Sequence, residues 1–263
     1  MATFRERYGP WAVVAGASEG LGAEFARQLA SRGLNVVVVA RRAELLTTVK
    51  VELESTHQIA VQAVPLDLAA HDAAERLVEA TRALDVGLLV YNAALSPQGE
   101  FTGQRLEDNL RAIDLNVRTP TALAHHFAAR FRARGKGGVV LLSSLTAFQG
   151  SPFLATYGAT KAYNLALAEG LWFELERHGV DVLAVCAGAT RTPGLLRAAP
   201  KGAPGMLEPS AVVAASLDAL GRGPLTIPGA FNRFASFLLR RLLPRRATIA
   251  IMGDQTRKLQ LPS

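Results

Sequence analysis

The sequence holds a single cysteine, Cys186, among 263 residues. One thiol builds neither an internal disulfide nor a cysteine-ligated metal site, and such usage fits a reducing compartment, with a buried structural role expected for Cys186. No apolar run reaches the roughly 18 residues that a membrane-spanning helix needs. No stretch rich in proline, glycine or serine reads as a long linker, and no repeat of the solenoid kind occurs. The phosphate-loop pattern G-x-x-x-x-G-K-[ST] is absent, which disfavours a nucleotide hydrolase of that type. Aromatic residues make up only 6 %, and the net charge of +7 is attached to no recognisable nucleic-acid-reading motif. With 49 % apolar and 19 % charged residues the composition is that of a compactly folded chain. Met1 to Tyr8 mixes Arg5, Glu6 and Arg7 without an apolar run and so does not read as a secretory signal. A cytoplasmic location is expected.

What the sequence does contain is a regular alternation. Apolar segments at 11–15, 36–40, 59–65, 86–91, 139–142, 180–186 and 225–227 read as strands. Between them, helical spacing recurs after the first glycine cluster and over 43–54, 73–84, 106–132, 156–177 and 209–220. Strands that are apolar throughout are buried on both faces, which is the signature of a parallel sheet between two helix layers. The expected fold class is α/β: one domain over 1–263, a doubly wound parallel sheet of about seven strands with helices on both faces, the Rossmann arrangement. Glycine and proline dominate 193–207, a candidate substrate loop.

Gly16, Gly20 and Gly22 follow the first strand and open the first long helix. Glycine there permits a tight turn and close approach of the backbone to a pyrophosphate, while free amides and the helix dipole favour negative charge. The same stretch, Gly16 to Gly20, also spells G-x-S-x-G, the nucleophile elbow of α/β-hydrolases. A hydrolase places several strands before that elbow and its histidine late in the chain. Here the elbow would follow the first strand, and the last histidine, His178, is far from the C-terminus.

At the end of the second strand a dinucleotide site carries either a carboxylate for the ribose 2′-hydroxyl or an arginine for a 2′-phosphate. Ala40-Arg41-Arg42 offers guanidinium groups, which suit a phosphate dianion. NADP(H) is therefore expected as cofactor, with Arg41 as the first phosphate ligand and Arg42 as the second. Asp67, beyond the third strand, is a candidate acceptor from the adenine amino group.

Tyr157 and Lys161 lie four residues apart on helical spacing, so they share one face a turn apart. A nearby ammonium favours the phenolate and brings the phenol toward working pH, making Tyr157 a candidate general acid/base. Ser144 sits where the fifth strand ends, the edge at which parallel sheets bind ligands. Its hydroxyl is placed to hold a substrate oxygen as hydride reaches carbon.

Together these motifs resemble the classical short-chain dehydrogenase/reductase family from about Trp11 to Thr192. The resemblance adds Tyr91-Asn92-Ala93-Ala94 as the N-N-A-G segment and Asn116 as the helix asparagine that helps hold a relay water. It also adds Ala187 to Thr192 as the segment reaching the nicotinamide carboxamide. It implies a cofactor set of Gly16, Ser18, Gly20, Leu21, Gly22, Arg41, Arg42, Asp67, Leu68, Asn92, Ala93, Tyr157, Lys161, Gly188, Thr190 and Thr192. The implied catalytic set is Asn116, Ser144, Tyr157 and Lys161, with no metal. Ala15, Ala94 and Ala187 depart from the family's threonine, glycine and proline without removing a catalytic group. The opening Tyr8 to Gly22 is similar to hydroxysteroid dehydrogenases and long-chain 3-oxoacyl-CoA reductases, which implies a hydrophobic carbonyl or alcohol substrate.

Residues 229–263 are amphipathic and basic: Phe231, Phe234, Phe237, Leu238 and Leu242 recur near helical spacing, with five arginines among or after them. Pocket closure or contact with another subunit is the expected role, ahead of an anionic membrane surface. The family resemblance implies a homodimer or homotetramer. The alternative from a different functional class is a non-catalytic NADP(H)-binding regulator.

Overall fold

The structure, a computed structural model, describes residues 3–198 and 202–260. Its frame is one seven-stranded sheet: β1 (Trp11–Ala15), β2 (Asn35–Ala40), β3 (Val61–Pro65), β4 (Val86–Tyr91), β5 (Gly137–Ser144), β6 (Val180–Ala187) and β7 (Leu225–Thr226). Every neighbouring pair is parallel, in the order β3-β2-β1-β4-β5-β6-β7. The chain runs outward from β1 in one direction and then, from β4, in the other. That reversal opens a crevice beyond the carboxyl ends of β1 and β4, where such sheets take ligands.

Side chains alternate across the strands. Ala12 and Val14 of β1 face α2 (Gly20–Ser31), α3 (Ala43–His57) and α9 (Pro209–Ala219), which contribute Phe25, Leu46 and Val213 to one core. Val13 and Ala15 face the other core, formed with α4 (Ala73–Ala80), α6 (Thr119–Arg134) and α7 (Ala155–Glu176) through Leu77, Phe127 and Leu165. Phe25, Phe127 and Phe131 are fully buried, each contributing about 2–3 kcal/mol by leaving water.

Several elements differ from the sequence reading. A short helix α1 (Phe4–Tyr8) precedes β1, closed by reciprocal bonds between Thr3 and Glu6. The T-x-x-E spelling was the available signal for it. α4 stops at Ala80, where the chain tightens: the Thr81 amide is shared between the Leu77 and Val78 carbonyls at 3.1 and 3.2 Å, and the Arg82 amide bonds the Glu79 carbonyl. The expected helix 106–132 is broken into α5 (Leu106–Ile113), a π turn over Asp114–Arg118, and α6. Pro120 supplies the reason: it has no amide to give to the carbonyl of residue 116, and the Thr119 amide instead reaches Asp114. The substrate loop contains α8 (Pro193–Ala198), while its residues 199–201 lie outside the described residues. The C-terminal segment forms two helices, α10 (Ala230–Arg241) and α11 (Arg245–Gln260), with 261–263 outside the described residues.

Candidate active site

The glycine-rich turn is pinned to β2, since the Gly16 and Ala17 amides donate to the Val39 carbonyl at 2.7 and 3.0 Å. Gly16 and Gly20 have φ of 87° and 60°, a region that side chains disfavour. Gly22 is required by closeness instead: a Cβ there would stand 1.9 Å from the Gly16 carbonyl oxygen. Asn92 Nδ2 donates to that same oxygen at 2.9 Å, fixing the end of β4 to the turn. α2 starts at Gly20 with no side-chain cap. Its first amides are thus left for a ligand, and the dipole there favours an anion.

A cleft of about 500 Å³ opens over this turn. Of the sequence-predicted cofactor residues it gathers Gly16, Ser18, Gly20, Leu21, Arg41, Arg42, Asp67, Leu68, Asn92, Ala93 and Thr192. Gly22 lies behind the turn, against Gly16 and Asn92. Gly188 and Thr190 are not in the cleft wall. Gly188 packs on Asn232 of α10, and Thr190, buried, bonds the Gly188 carbonyl and pairs with Leu207. Three groups that the sequence reading missed complete the rim: Glu19, Arg111 and Arg197. Glu19 Oε1 accepts from Arg42 at 3.1 Å and from Arg197 of α8 at 2.8 Å, and Arg42 also reaches the Ser18 hydroxyl at 3.2 Å. Burial pushes the Glu19 carboxyl up, but the two arginines outweigh it and hold it below its ordinary range. Asp67 accepts from the Ala69 amide at 3.1 Å and from Arg111 at 2.5 Å. Its carboxyl is likewise lowered, burial being overcome by those bonds and by Arg41. These contacts join residues far apart in sequence, so no local spacing signals them.

Ser144 ends β5, and its Oγ accepts from the Thr146 amide at 3.2 Å. α7 lies along that strand end and carries Tyr157 and Lys161 on adjacent turns, anchored where Ser143 Oγ donates to the Lys161 carbonyl at 2.7 Å. The Lys161 side chain is 3 % exposed. Its Nζ donates to the Leu142 carbonyl at 2.7 Å and stands 5.5 Å from the centre of the Tyr157 ring. Burial depresses the lysine from its ordinary 10.5 to about 8. Burial raises the pKa of the Tyr157 phenol, outweighing the Ser144 hydroxyl, which favours the ionised form. That differs from the depression expected from Lys161: withdrawal from water penalises the phenolate more than the polar neighbours favour it.

Asn116, in the π turn, is fully buried. Its Oδ1 accepts from the Leu95 amide at 2.9 Å, and its Nδ2 donates to the Leu95 carbonyl at 2.8 Å and to Thr160 Oγ1 at 3.0 Å. Because Leu95 borders the cleft and Thr160 precedes Lys161, this side chain ties the cofactor cleft to the catalytic cluster.

Residues 10–201 match the short chain dehydrogenase family. The chain belongs to that family. Its members are oxidoreductases that act on CH–OH and C=O groups with a nicotinamide cofactor. A 7beta-hydroxysteroid dehydrogenase of Clostridium sardiniense is 35 % identical over 233 residues, which is 88 % of this chain and 89 % of that protein. A solved structure from work on 7beta-hydroxysteroid dehydrogenase stereoselectivity matches with a TM-score of 0.91 at 33 % identity, covering 96 % of this chain and all of that one. A short-chain dehydrogenase from Sphingobium yanoikuyae in complex with NADPH matches with a TM-score of 0.80 at 32 % identity, over 94 % and 96 % of the two chains. The hydroxysteroid-dehydrogenase-like character read at Tyr8 to Gly22 is thereby borne out. So is the doubly wound seven-stranded sheet. In this dehydrogenase the segment after β6 departs most from the sequence expectation, with Thr192 alone of its three predicted residues lining the cleft.

Proposed function

We propose that this dehydrogenase moves a hydride between NADP(H) and a carbonyl or secondary alcohol on a hydrophobic substrate of hydroxysteroid type. The observation that carries the chemistry is the Ser144–Tyr157–Lys161 cluster, a phenol whose ionisation the Ser144 hydroxyl favours, with a buried ammonium 5.5 Å from the centre of its ring. The residues of the cleft fit a dinucleotide: a turn too tight for a Cβ, an uncapped helix start, and arginines at the end of β2.

Bound there, NADP(H) supplies or accepts the hydride. The turn amides and the start of α2 hold the pyrophosphate, and Arg41 and Arg42 hold the 2′-phosphate. In reduction Tyr157 gives its proton to the carbonyl oxygen, and it takes one back from the alcohol in the reverse direction. Ser144 donates a hydrogen bond to the same oxygen as negative charge develops on it. The Lys161 ammonium lowers the cost of the phenolate that remains. Asn116 ties Leu95, at the cofactor cleft, to Thr160, next to Lys161. The steroid assignment draws on the relatives named 7beta-hydroxysteroid dehydrogenase.

NADPH oxidation by the purified protein against steroid, 3-oxoacyl, aromatic and aliphatic carbonyl compounds tests this reading. Turnover confined to the steroids is the expected result; tight NADPH binding with no turnover on any class would leave a cofactor-binding protein without the proposed chemistry. For the cofactor, Arg41→Ala is expected to weaken NADPH binding about tenfold or more while leaving NADH nearly unchanged, since it deletes one charge-assisted phosphate contact. Equal losses for the two cofactors, by fluorescence titration, would reject the phosphate role of Arg41.

A further inference from the structure

Most amphipathic helices bury the apolar stripe and wet the polar one. α10 does the reverse. Its buried side chains are polar: Asn232 donates to the Gly205 and Pro228 carbonyls, and Ser236 also faces inward. Its outer face carries Phe231, Phe234 and Phe237, which are 58–65 % exposed, and runs on to Leu242, which is 65 % exposed. Pocket closure by these phenylalanines, one of the roles expected from spacing, is therefore not what Phe234 and Phe237 do. Contiguous exposed aromatics of this kind mark a contact surface.

The charge around them selects the partner. Residues 229–257 hold six arginines against one acidic residue, Asp254. Arg240 and Arg257 are spent on the rings of Phe148 and Phe153, whose centres they approach to 4.0 and 5.3 Å. Arg233, Arg241, Arg245 and Arg246 are exposed beside the phenylalanine face. A two-fold contact through this face would set two surfaces of the same basic charge together, whereas anionic headgroups complement it. Phenylalanine at the acyl boundary with arginine reaching up to phosphate is the arrangement of an interfacial helix. No described helix is long and apolar enough to cross a membrane.

We propose that the outer face of α10, with the start of α11, docks the protein on an anionic lipid surface. The place of this face in the fold gives the contact a use. Phe148 and Phe153 belong to the segment that follows Ser144, and Gly205, against Phe231, belongs to the stretch before α9. Docking through α10 sets the substrate side of the protein against the phase in which a hydrophobic substrate dissolves.

The test is co-sedimentation of the full chain with vesicles of phosphatidylcholine alone and of phosphatidylcholine mixed with phosphatidylglycerol. Binding is expected to the mixed vesicles only and to weaken as salt rises. Phe234→Ser with Phe237→Ser, and separately Arg241→Glu with Arg246→Glu, should each weaken it at least about tenfold, with turnover of a water-soluble steroid ketone in the absence of vesicles unchanged. The arginine pair is exposed, so that variant keeps the test open if the serine variant does not fold. Absence of binding to the mixed vesicles would overturn the proposal. It would also fall if light scattering showed a wild-type dimer that the serine variant converts to monomer, which would assign this face to a second copy of the chain.

Discussion

Replacing Tyr157 by phenylalanine is expected to lower turnover by on the order of 10³-fold or more while leaving the NADPH dissociation constant within about twofold of wild type. The substitution removes one oxygen and its proton and almost no volume, so the ring keeps its place over the Lys161 ammonium. What is lost is the proton donor of the cluster, since the Lys161 ammonium is buried and turned to the Leu142 carbonyl. Ser144 cannot substitute: its hydroxyl accepts from the Thr146 amide, and an aliphatic alcohol is a far weaker acid than a phenol. Burial raises the pKa of Tyr157, which makes the phenol a weaker acid than free tyrosine, a cost that the Lys161 ammonium beside the ring offsets as the phenolate forms. A variant that retains turnover would remove Tyr157 from the mechanism. A variant that also loses NADPH would show that the Tyr157 hydroxyl helps hold the cofactor, as the family resemblance implies, although Tyr157 is not among the residues lining the cleft.

How much of this site was legible in the sequence depends on how local each feature is. Tyr157 and Lys161 are one helical turn apart, and Ser144 ends the strand before that helix, so spacing alone gives their order and their common edge. The glycine-rich turn is equally local. Asn116 was legible as a residue but not in its geometry. Periodicity runs straight through 106–132, and only the missing amide of Pro120 hints at the extra residue in the turn that carries Asn116 inward. Arg111 and Arg197 meet Asp67 and Glu19 across 44 and 178 residues. Nothing in their own neighbourhoods distinguishes them from arginines on a solvated helix face. The C-terminal helix shows a third limit. Spacing identifies an apolar stripe on α10 but says nothing about what covers it, and only the inward bonds of Asn232 reveal that the stripe points away from the body of the protein.

Lys161→Met is expected to abolish turnover and yet raise thermal stability. The lysine's pKa, about 8 instead of 10.5, reports that folding disfavours its charged form. Between those values the native chain has shed a proton that the unfolded chain still holds, so wild-type stability rises with pH across that window. Below about pH 8 the full penalty is present, and a depression of that size corresponds to about 3 kcal/mol. Methionine fills most of the same space without a charge, but it leaves the Leu142 carbonyl without its donor, which costs about 1–2 kcal/mol. The balance favours the variant by about 1–2 kcal/mol at neutral pH, a rise of roughly 3–6 °C in the unfolding midpoint. The same ammonium governs wild-type catalysis: reductive turnover should fall as pH rises through about 8, because the charge that eases phenolate formation is lost there. Melting curves and pH–rate profiles of the two proteins decide the matter together. A lower midpoint in the variant would mean that the Leu142 bond outweighs the burial penalty. Turnover retained by the methionine variant would take Lys161 out of the active site altogether.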